Sequence, residues 1–302
     1  MKLAVCVPSF GHRHTDLFQH MNERAGEKYD MFVFIQDNDP DNKLYYEDNF
    51  ENVKIIQSGA RGISENRQQI IDYCLKNGYN KIVMCDDDMG VKAGMIDASC
   101  KRETSNSYRK KTIDMFDLFD KLVDASIEYD AGMVGVPHDV YLGFSTPGKV
   151  SINRSCSVCG LILIDLDKTF RKFPELHYSA HEDNLNEDVD LAIQMRQNNI
   201  TIVTVRDYGY NVARAYAKSV CFPDSHARYM AVFNTAKKWK LVLKTDTNFH
   251  LQLRVRWDKY ENHTIPEPRN PFEKKLYELY ETNAPFDEVY EYVNSFNKKL
   301  KK

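Results

Sequence analysis

The chain lacks long apolar runs, an excess of one charge, and repeated or low-complexity segments. Its 302 residues carry 41 basic and 44 acidic side chains, so the formal net charge of −3 excludes the general nucleic-acid affinity of a strongly basic protein. No stretch approaches the roughly 20 apolar residues of a membrane span, and Pro8 breaks the apolar start at 1–7 before it reaches signal-peptide length. We therefore expect a cytoplasmic protein without a membrane partner.

Cysteines are also few. The count of seven is odd, which in a chain without a secretion signal indicates reduced thiols. Cys156 and Cys159, followed by His177 and His181, have a spacing that resembles a zinc set. Because Cys159 precedes the apolar run at 160–164, which predicts a buried central strand, we interpret the thiol as a core group and keep zinc as the alternative.

Apolar runs alternate with amphipathic segments over the first two thirds of the chain. The predicted strands are 2–7, 31–35, 53–56, 82–85, 132–136, 158–164 and 200–205. Helices are predicted from Ser64, as an N-terminal cap, to about 76, and at 112–129, 187–198 and 227–242. This alternation predicts an α/β fold with a mostly parallel sheet flanked by helices, and polar loops in between.

The last part of the chain has a different pattern. Residues 249–257 alternate between apolar and polar types, which is typical of a strand with one buried face. A proline-rich break at 265–271 and two short helical stretches follow. We therefore divide the chain into a main domain, 1–245, and a C-terminal extension, 246–302, that is a candidate for acceptor or DNA contact.

The most informative motif is Asp86-Asp87-Asp88-Met89, directly after the apolar run 82–85. A strand buried on both faces ends at the carboxyl edge of a sheet, where open α/β sheets bind ligands. Asp86 and Asp88 can therefore share one hard cation, Mg²⁺ or Mn²⁺, with substrate phosphates as further ligands. An acidic turn without a ligand is the alternative.

Five strand-end motifs occur in an order that resembles the GT-A class of nucleotide-sugar glycosyltransferases, and the family-2-like branch in particular. They are VCVPSF at 5–10, the acidic stretch 36–41, RGISENR at 61–67, the DxD motif at 86–88 and EDVDL at 187–191. Four sequence segments resemble those of the TET-associated glycosyltransferases of bacteriophages: VPSFGHR, ARGISENRQQI, MCDDDM and EDVDLAI. These enzymes are thought to add sugars to hydroxylated DNA bases. The chain departs from the broad pattern at 36–39, where Gln-Asp-Asn-Asp replaces an acidic-Gly-Ser turn.

The resemblance implies a nucleotide-diphosphate donor, UDP-sugar by preference, and a Mn²⁺ or Mg²⁺ ion that neutralises the leaving diphosphate. By the family pattern, Asp88 binds the metal directly and Asp86 contacts the ribose or reaches the metal through water. Asp87 is expected to face away and to orient the turn. His226 is the expected third ligand, and a surface histidine at a helix start is the alternative.

Residues after the first three strands are expected to hold the nucleotide. Asp39 is the best candidate for the acidic nucleoside contact, since a carboxylate accepts two hydrogen bonds; a turn-forming aspartate is the alternative. A planar guanidinium suits a base or phosphate, although a helix-surface salt bridge would also explain Arg67. The full set of candidates is Pro8, Ser9, Phe10, Asp39, Arg61, Arg67, Asp86 and Asp87.

An inverting transferase also needs a base for the acceptor hydroxyl. We predict Asp188 for this role, with Glu187 beside it and Asp190 holding the helix start or the sugar. Anionic side chains are favoured at a helix N-terminus, so helix capping is the alternative for this cluster. If the enzyme retains the configuration of the sugar, the assignment of Asp188 as this base fails.

The expected acceptor is 5-hydroxymethylcytosine or a similar base in phage DNA. DNA binding would require phosphate contacts from basic side chains. The candidates are Lys101, Arg102, Arg109, Lys110, Lys111, Arg254, Arg256 with Trp257, and the terminal lysines. The alternatives are a polysaccharide, lipid-linked sugar or protein acceptor, a catalytically silent GT-A module that binds nucleotide or glycan, and a Mg²⁺-dependent nuclease or nucleotidyltransferase.

Overall fold

A computed structural model describes residues 2–10, 15–26, 28–37, 39–101, 108–139, 142, 146–153, 160–179, 186–212, 225–245 and 251–300. The strands are β1 (Leu3–Ser9), β2 (Asp30–Ile35), β3 (Lys54–Gln57), β4 (Lys81–Cys85), β5 (Lys92–Lys101), β6 (Tyr108–Asp114), β7 (Met133–Gly135), β8 (Val150–Ile152), β9 (Leu161–Asp165), β10 (Ile202–Val205), β11 (Tyr208–Gly209), β12 (Val242–Thr245) and β13 (Leu251–Arg254). The helices are α1 (Thr15–Arg24), α2 (Pro40–Asn49), α3 (Ile63–Lys76), α4 (Met115–Glu128), α5 (Glu187–Gln197), α6 (Ser225–Trp239), α7 (Pro271–Glu281) and α8 (Phe286–Leu300).

The main sheet has eight strands in the order β3-β2-β1-β4-β9-β7-β10-β8. Strands β3, β2, β1 and β4 are parallel, and β7 is parallel to β10. Strand β9 is antiparallel to both of its neighbours, and β8 is antiparallel at the edge. A mostly parallel sheet with helices on it confirms the predicted fold class.

The central strands are buried on both faces, as continuous apolar runs predict. On one face, Val5 and Val7 pack in a cluster with residues of α1, α2 and α4; on the other, Ala4 and Cys6 pack with residues of α3 and α5. Helix α3 follows parallel strand β3, and α5 precedes parallel strand β10. Both helices therefore begin at the carboxyl edge of the sheet, the edge that carries the acidic motif.

Several local predictions were wrong. Helices α1 and α2 and the paired strands β5 and β6 lie in stretches where only polar loops were predicted. Ser64 does not cap α3: Gly62 lies at the cap position with φ 126°, and the Ser64 hydroxyl donates to the Ser179 carbonyl at 2.6 Å. That hydroxyl is used for a long-range contact, which no local pattern reveals.

The C-terminal elements have their own apolar cluster, built from α6, β12, β13, α7 and α8 and including Ile193 of α5. The β12–β13 ladder crosses residue 245, and the division into 1–245 and 246–302 stays a prediction. Within the described ranges, no helix has the length and apolar character needed to cross a membrane. Four cysteines fall in these ranges and all are free thiols: Cys6, Cys74, Cys85 and Cys100.

Candidate active site

The ends of β1 and β4 meet through one carboxylate. Ser9 donates its hydroxyl proton to Oδ2 of Asp87 at 2.7 Å, and the Phe10 amide donates to the same oxygen at 3.3 Å. Because the Ser9 proton is used there, the Tyr46 hydroxyl of α2, 3.1 Å away, must donate to Ser9. Asp87 is the buried middle residue of the acidic turn, residues 86–88. It ties the acidic turn to the candidate nucleotide-binding segment at 8–10.

A second link joins the acidic turn to α5 through Arg67 of α3. One guanidinium nitrogen, Nη2, donates to Oδ1 of Asp86 at 2.7 Å, and the other, Nη1, donates to Oε1 of Glu187 at 2.7 Å. The Arg67 side chain is only 6% exposed and that of Glu187 10%, whereas a third of the Asp86 side chain remains exposed. The link is therefore a buried bridge, not the helix-surface pair considered from the sequence.

This acidic cluster, which we define as Asp86, Glu187 and Asp188 around Arg67, contains more carboxylates than cations. Burial raises the pKa of Glu187 to about 7, against the opposing effect of Arg67 and with Asp188 adding to the rise. Burial also raises the pKa of Asp86 and of Asp188, while the Arg67 charge opposes both shifts. The cluster can therefore hold a proton near neutral pH, as a site that exchanges protons with a substrate requires.

Asp190 has a different environment, one turn along α5. It is 3% exposed and accepts hydrogen bonds from Ser179 Oγ at 2.5 Å, Gln194 Nε2 at 2.7 Å and Trp239 Nε1 at 2.6 Å, with Lys238 Nζ at 2.6 Å. Burial alone would raise the pKa of Asp190, but Lys238, Ser179 and Trp239 hold it below the usual range. Four donors engage this carboxylate within the fold, so its geometry fits the predicted role of holding the helix start.

Asp190→Asn should lower the free energy of unfolding by about 2 kcal/mol, because it removes a charge that Lys238 and Trp239 both contact. The folded-state pKa of Asp190 is depressed, so its contribution is present above the ordinary pKa of 3.8 and is lost as pH falls through the lower folded value. Urea unfolding at pH 7 measures the loss. A variant as stable as the wild type would show that the four donors do not hold this helix.

The remaining candidates lie around the same edge. Asp39 precedes α2 and accepts from Asn42 Nδ2 at 2.8 Å, as a turn-forming residue does. Arg61 is exposed, and its backbone amide donates to Glu65 at 2.8 Å. Pro8 is buried at the end of β1, and Asp88 is half-buried in the acidic turn. His226 is in the first turn of α6, but its side chain lies outside the described residues, as do Cys156, Cys159 and His181.

The two outer aspartates fit a hard divalent cation only together with ligands from a substrate. Among the residues that the structure describes, no group of three or more His, Cys, Asp or Glu side chains is arranged to hold a metal. Asp86 and Asp88 carry carboxylate oxygens, and the exposed third of Asp86 is accessible from outside the fold. This donor set suits Mg²⁺ or Mn²⁺, which is commonly bound by one or two carboxylates plus substrate phosphates.

Sequence reasoning missed several residues that build the site. Tyr46 supports Ser9, and Lys238 and Trp239 hold Asp190 from α6. Gln36 accepts the Gly62 amide at 2.7 Å and so joins the end of β2 to the start of α3. Each partner is distant in sequence, so no motif spacing could have indicated these contacts.

The architecture is that of the GT-A type of transferase. Among solved structures, the chain is similar to the mannosyltransferase PcManGT from Pyrobaculum calidifontis in complex with GDP-Man and Mn²⁺, with TM-score 0.50 and 12% identity over 82% of this chain and 67% of that one. It is also similar to 4-diphosphocytidyl-2C-methyl-D-erythritol synthase from Anaerococcus prevotii DSM 20548, with TM-score 0.39 and 9% identity over 78% of this chain and 96% of that one. None of the curated proteins matches it.

The family is defined by a match over residues 3–220 to the model of the TET-associated glycosyltransferases. The chain belongs to this family, as the motifs had indicated, and it is a glycosyltransferase. The matched stretch includes the acidic turn, Arg67 and the acidic start of α5.

Proposed function

We propose that the protein transfers a sugar from a nucleotide-diphosphate donor, UDP-sugar by preference, to a hydroxylated base such as 5-hydroxymethylcytosine in phage DNA, with Mn²⁺ or Mg²⁺. One observation carries the donor side: Arg67 contacts both Asp86 of the acidic turn and Glu187 of α5 at 2.7 Å. Asp86, one of the candidate metal ligands, and Asp188, the candidate base, thus belong to one cluster around Arg67. The Mn²⁺ and nucleotide sugar bound by PcManGT, which has a similar fold, add support.

In this proposal the ion supplies positive charge to the departing diphosphate when it is bound. Asp86 and Asp88 would hold it, while Ser9 and Phe10, fixed by Asp87, would hold the nucleoside. Asp188 would take the proton of the acceptor hydroxyl. The Oδ1 atom of Asp188 accepts a hydrogen bond from the Val189 amide at 2.7 Å, and this contact fixes the direction of the carboxylate at the start of α5.

The test of this function uses nucleoside mass spectrometry. The protein is incubated with Mn²⁺, a panel of nucleotide sugars, and DNA that contains either 5-hydroxymethylcytosine or cytosine. A mass gain of one sugar on the hydroxymethylated base alone, abolished by EDTA, is the expected result. Donor hydrolysis with no labelled DNA would favour a polysaccharide, lipid-linked or protein acceptor, binding without turnover would favour a silent module, and strand scission would favour a nuclease.

Among the residues that the structure describes, those of the β5–β6 hairpin are the best candidates for contact with acceptor DNA. The hairpin begins at Lys92, four residues after Asp88, and its ten-residue first strand extends about 33 Å. Four consecutive residues of β6, Arg109 to Thr112, are exposed. Asp114 at its base is already engaged, since it caps α4 and pairs with His20 at 2.9 Å. The hairpin thus begins close to the acidic turn and presents basic side chains along its exposed second strand, which suits a phosphate backbone.

Charge reversal at Arg109 and Lys111 should weaken binding to duplex DNA by about 10- to 100-fold at low salt and reduce the salt slope by about two. Fluorescence anisotropy over a salt series measures both. The matched control is the double variant Lys54→Glu and Lys76→Glu, two exposed lysines at the opposite edge of the sheet. Equal weakening by both pairs would remove the hairpin as a specific contact.

A further inference from the structure

Tyr178 contains a buried hydroxyl with no hydrogen-bond partner among the described residues. The residue is 3% exposed, and its ring packs in the cluster with α3 and α5. Burying a hydroxyl without a partner is unfavourable, and phenylalanine would fill the same space without that penalty. An unsatisfied buried group in a folded protein therefore calls for an explanation, and a role in the reaction is one of the few available.

Hydrogen bonds to α3 and α5 hold the segment 176–179 in place. The Tyr178 amide donates to Gln68 of α3 at 2.9 Å. The preceding residue, His177, exchanges two hydrogen bonds with Gln194 of α5, at 3.2 and 2.9 Å. The following residue, Ser179, accepts from Ser64 and donates to Asp190. The segment thus joins the two helices that carry Arg67 and Glu187, with the Tyr178 ring between them.

The Tyr178 hydroxyl lies within the electrostatic reach of the acidic cluster. The charges of Arg67, Glu187, Asp188 and Asp86 all act on Tyr178, whose pKa lies well above the usual range chiefly because it is buried. The hydroxyl is therefore a neutral donor at any working pH. A carboxylate accepts about four hydrogen bonds, and the side-chain donor described for Glu187 is Arg67 alone. The hydroxyl is thus a donor without an acceptor among the described residues, within the electrostatic reach of carboxylates that have spare acceptor capacity.

We propose that Tyr178 is a positioning residue for glycosyl transfer, whose hydroxyl donates a hydrogen bond to the Glu187–Asp188 pair when substrate occupies the site. It orients the carboxylate that takes the acceptor proton, and it makes no bond to substrate itself. The inference rests on the proposed role of this pair as the base. It also explains why the core keeps a hydroxyl for which the described residues supply no partner.

The test compares Tyr178→Phe with a matched control, Tyr280→Phe. The Tyr280 hydroxyl is equally buried but donates to the Leu241 carbonyl at 3.0 Å, in the C-terminal cluster. Tyr178→Phe should lower kcat by about 10- to 100-fold, the rate equivalent of one hydrogen bond to a charged group, with little change in the donor KM and an unchanged or higher Tm. Tyr280→Phe should lower Tm by about 2–4 °C and leave kcat unchanged.

Two results would overturn the proposal. An unchanged kcat in Tyr178→Phe would show that the hydroxyl plays no part in the reaction. A fall in Tm like that of the control would show that a buried water satisfies the hydroxyl in the resting fold, which makes its role structural. The Tm comparison tests the role of Tyr178 and needs no substrate. The nucleotide-sugar panel tests the proposed donor independently, so failure of one proposal can be told from failure of the other.

Discussion

Replacement of Arg67 by methionine is expected to lower the free energy of unfolding by about 3–5 kcal/mol, the largest stability effect of any single substitution proposed for this protein. Arg67 is buried and holds two carboxylates, Asp86 and Glu187, each at 2.7 Å. Methionine has a similar volume, so the loss is one of charge and not of packing. The variant leaves two carboxylates close together without the cation that offsets their repulsion.

The dependence of this loss on pH identifies its cause. Without Arg67, the pKa of Glu187, already raised to about 7, should rise further, because burial and the neighbouring carboxylates then act unopposed. The folded variant would bind more protons than the unfolded chain, so its free energy of unfolding should fall as pH rises from about 5 to 8. Urea unfolding across this range measures the slope, and a deficit independent of pH would point to packing instead.

A surface pair supplies the control for this substitution. Lys43 and Glu47 lie 3.8 Å apart on α2 with both side chains a third or more exposed. Lys43→Met should change stability by less than about 0.5 kcal/mol. A further variant, Arg67→Met with Glu187→Gln, should recover part of the loss, since it removes one of the two carboxylates that the arginine neutralised.

Asp88→Asn should abolish turnover and leave the fold intact. If Asp88 is the direct metal ligand, the amide weakens the electrostatic stabilisation of the leaving diphosphate, and several kcal/mol correspond to a loss of about a thousandfold in kcat/KM. Release of the nucleotide diphosphate from the donor measures the rate. The residue is half-buried in a turn that Asp87 anchors separately through Ser9. Urea unfolding should therefore resemble that of the wild type.

The matched control is Asp48→Asn, the same change at an exposed position near the end of α2. It should leave both the rate and the unfolding curve unchanged. Mn²⁺ titration gives a second measurement: the concentration that half-saturates the reaction should rise in Asp88→Asn and not in the control. Activity like that of the wild type in Asp88→Asn would remove this aspartate from the metal site.

The fold could be predicted where burial alone decides the structure. Strands β1, β2, β4 and β9 are continuous apolar runs, and each lies in the core of the sheet. Helix α1 was missed although Leu17, Phe18 and Met21 have helical spacing, because the surrounding residues are polar. The β5–β6 hairpin was missed because its second strand is exposed on both faces and so has no period-two pattern.

The candidate site was predicted as a set of motifs but not as a network. Strand-end position correctly predicted that Asp86, Ser9 and Glu187 lie at one edge of the sheet. Sequence could not indicate that Arg67 joins the acidic turn to α5, or that Asp87 joins the acidic turn to the end of β1, since such contacts depend on packing between distant segments. No sequence pattern pointed to the hydroxyl of Tyr178, because only a folded core shows which polar atoms lack partners.

The attachment of Asp190 to α6 has a consequence for any shortened form of this enzyme. The stretch shared with the family ends at residue 220, whereas Lys238 and Trp239, which bind the Asp190 carboxylate, lie beyond it. A protein truncated at the family limit would keep all five strand-end motifs, yet it would expose an anionic side chain inside α5 and loosen the helix that presents Glu187 and Asp188. Expression of residues 1–220 alone should therefore yield an unstable product, and the minimal working enzyme extends at least through α6.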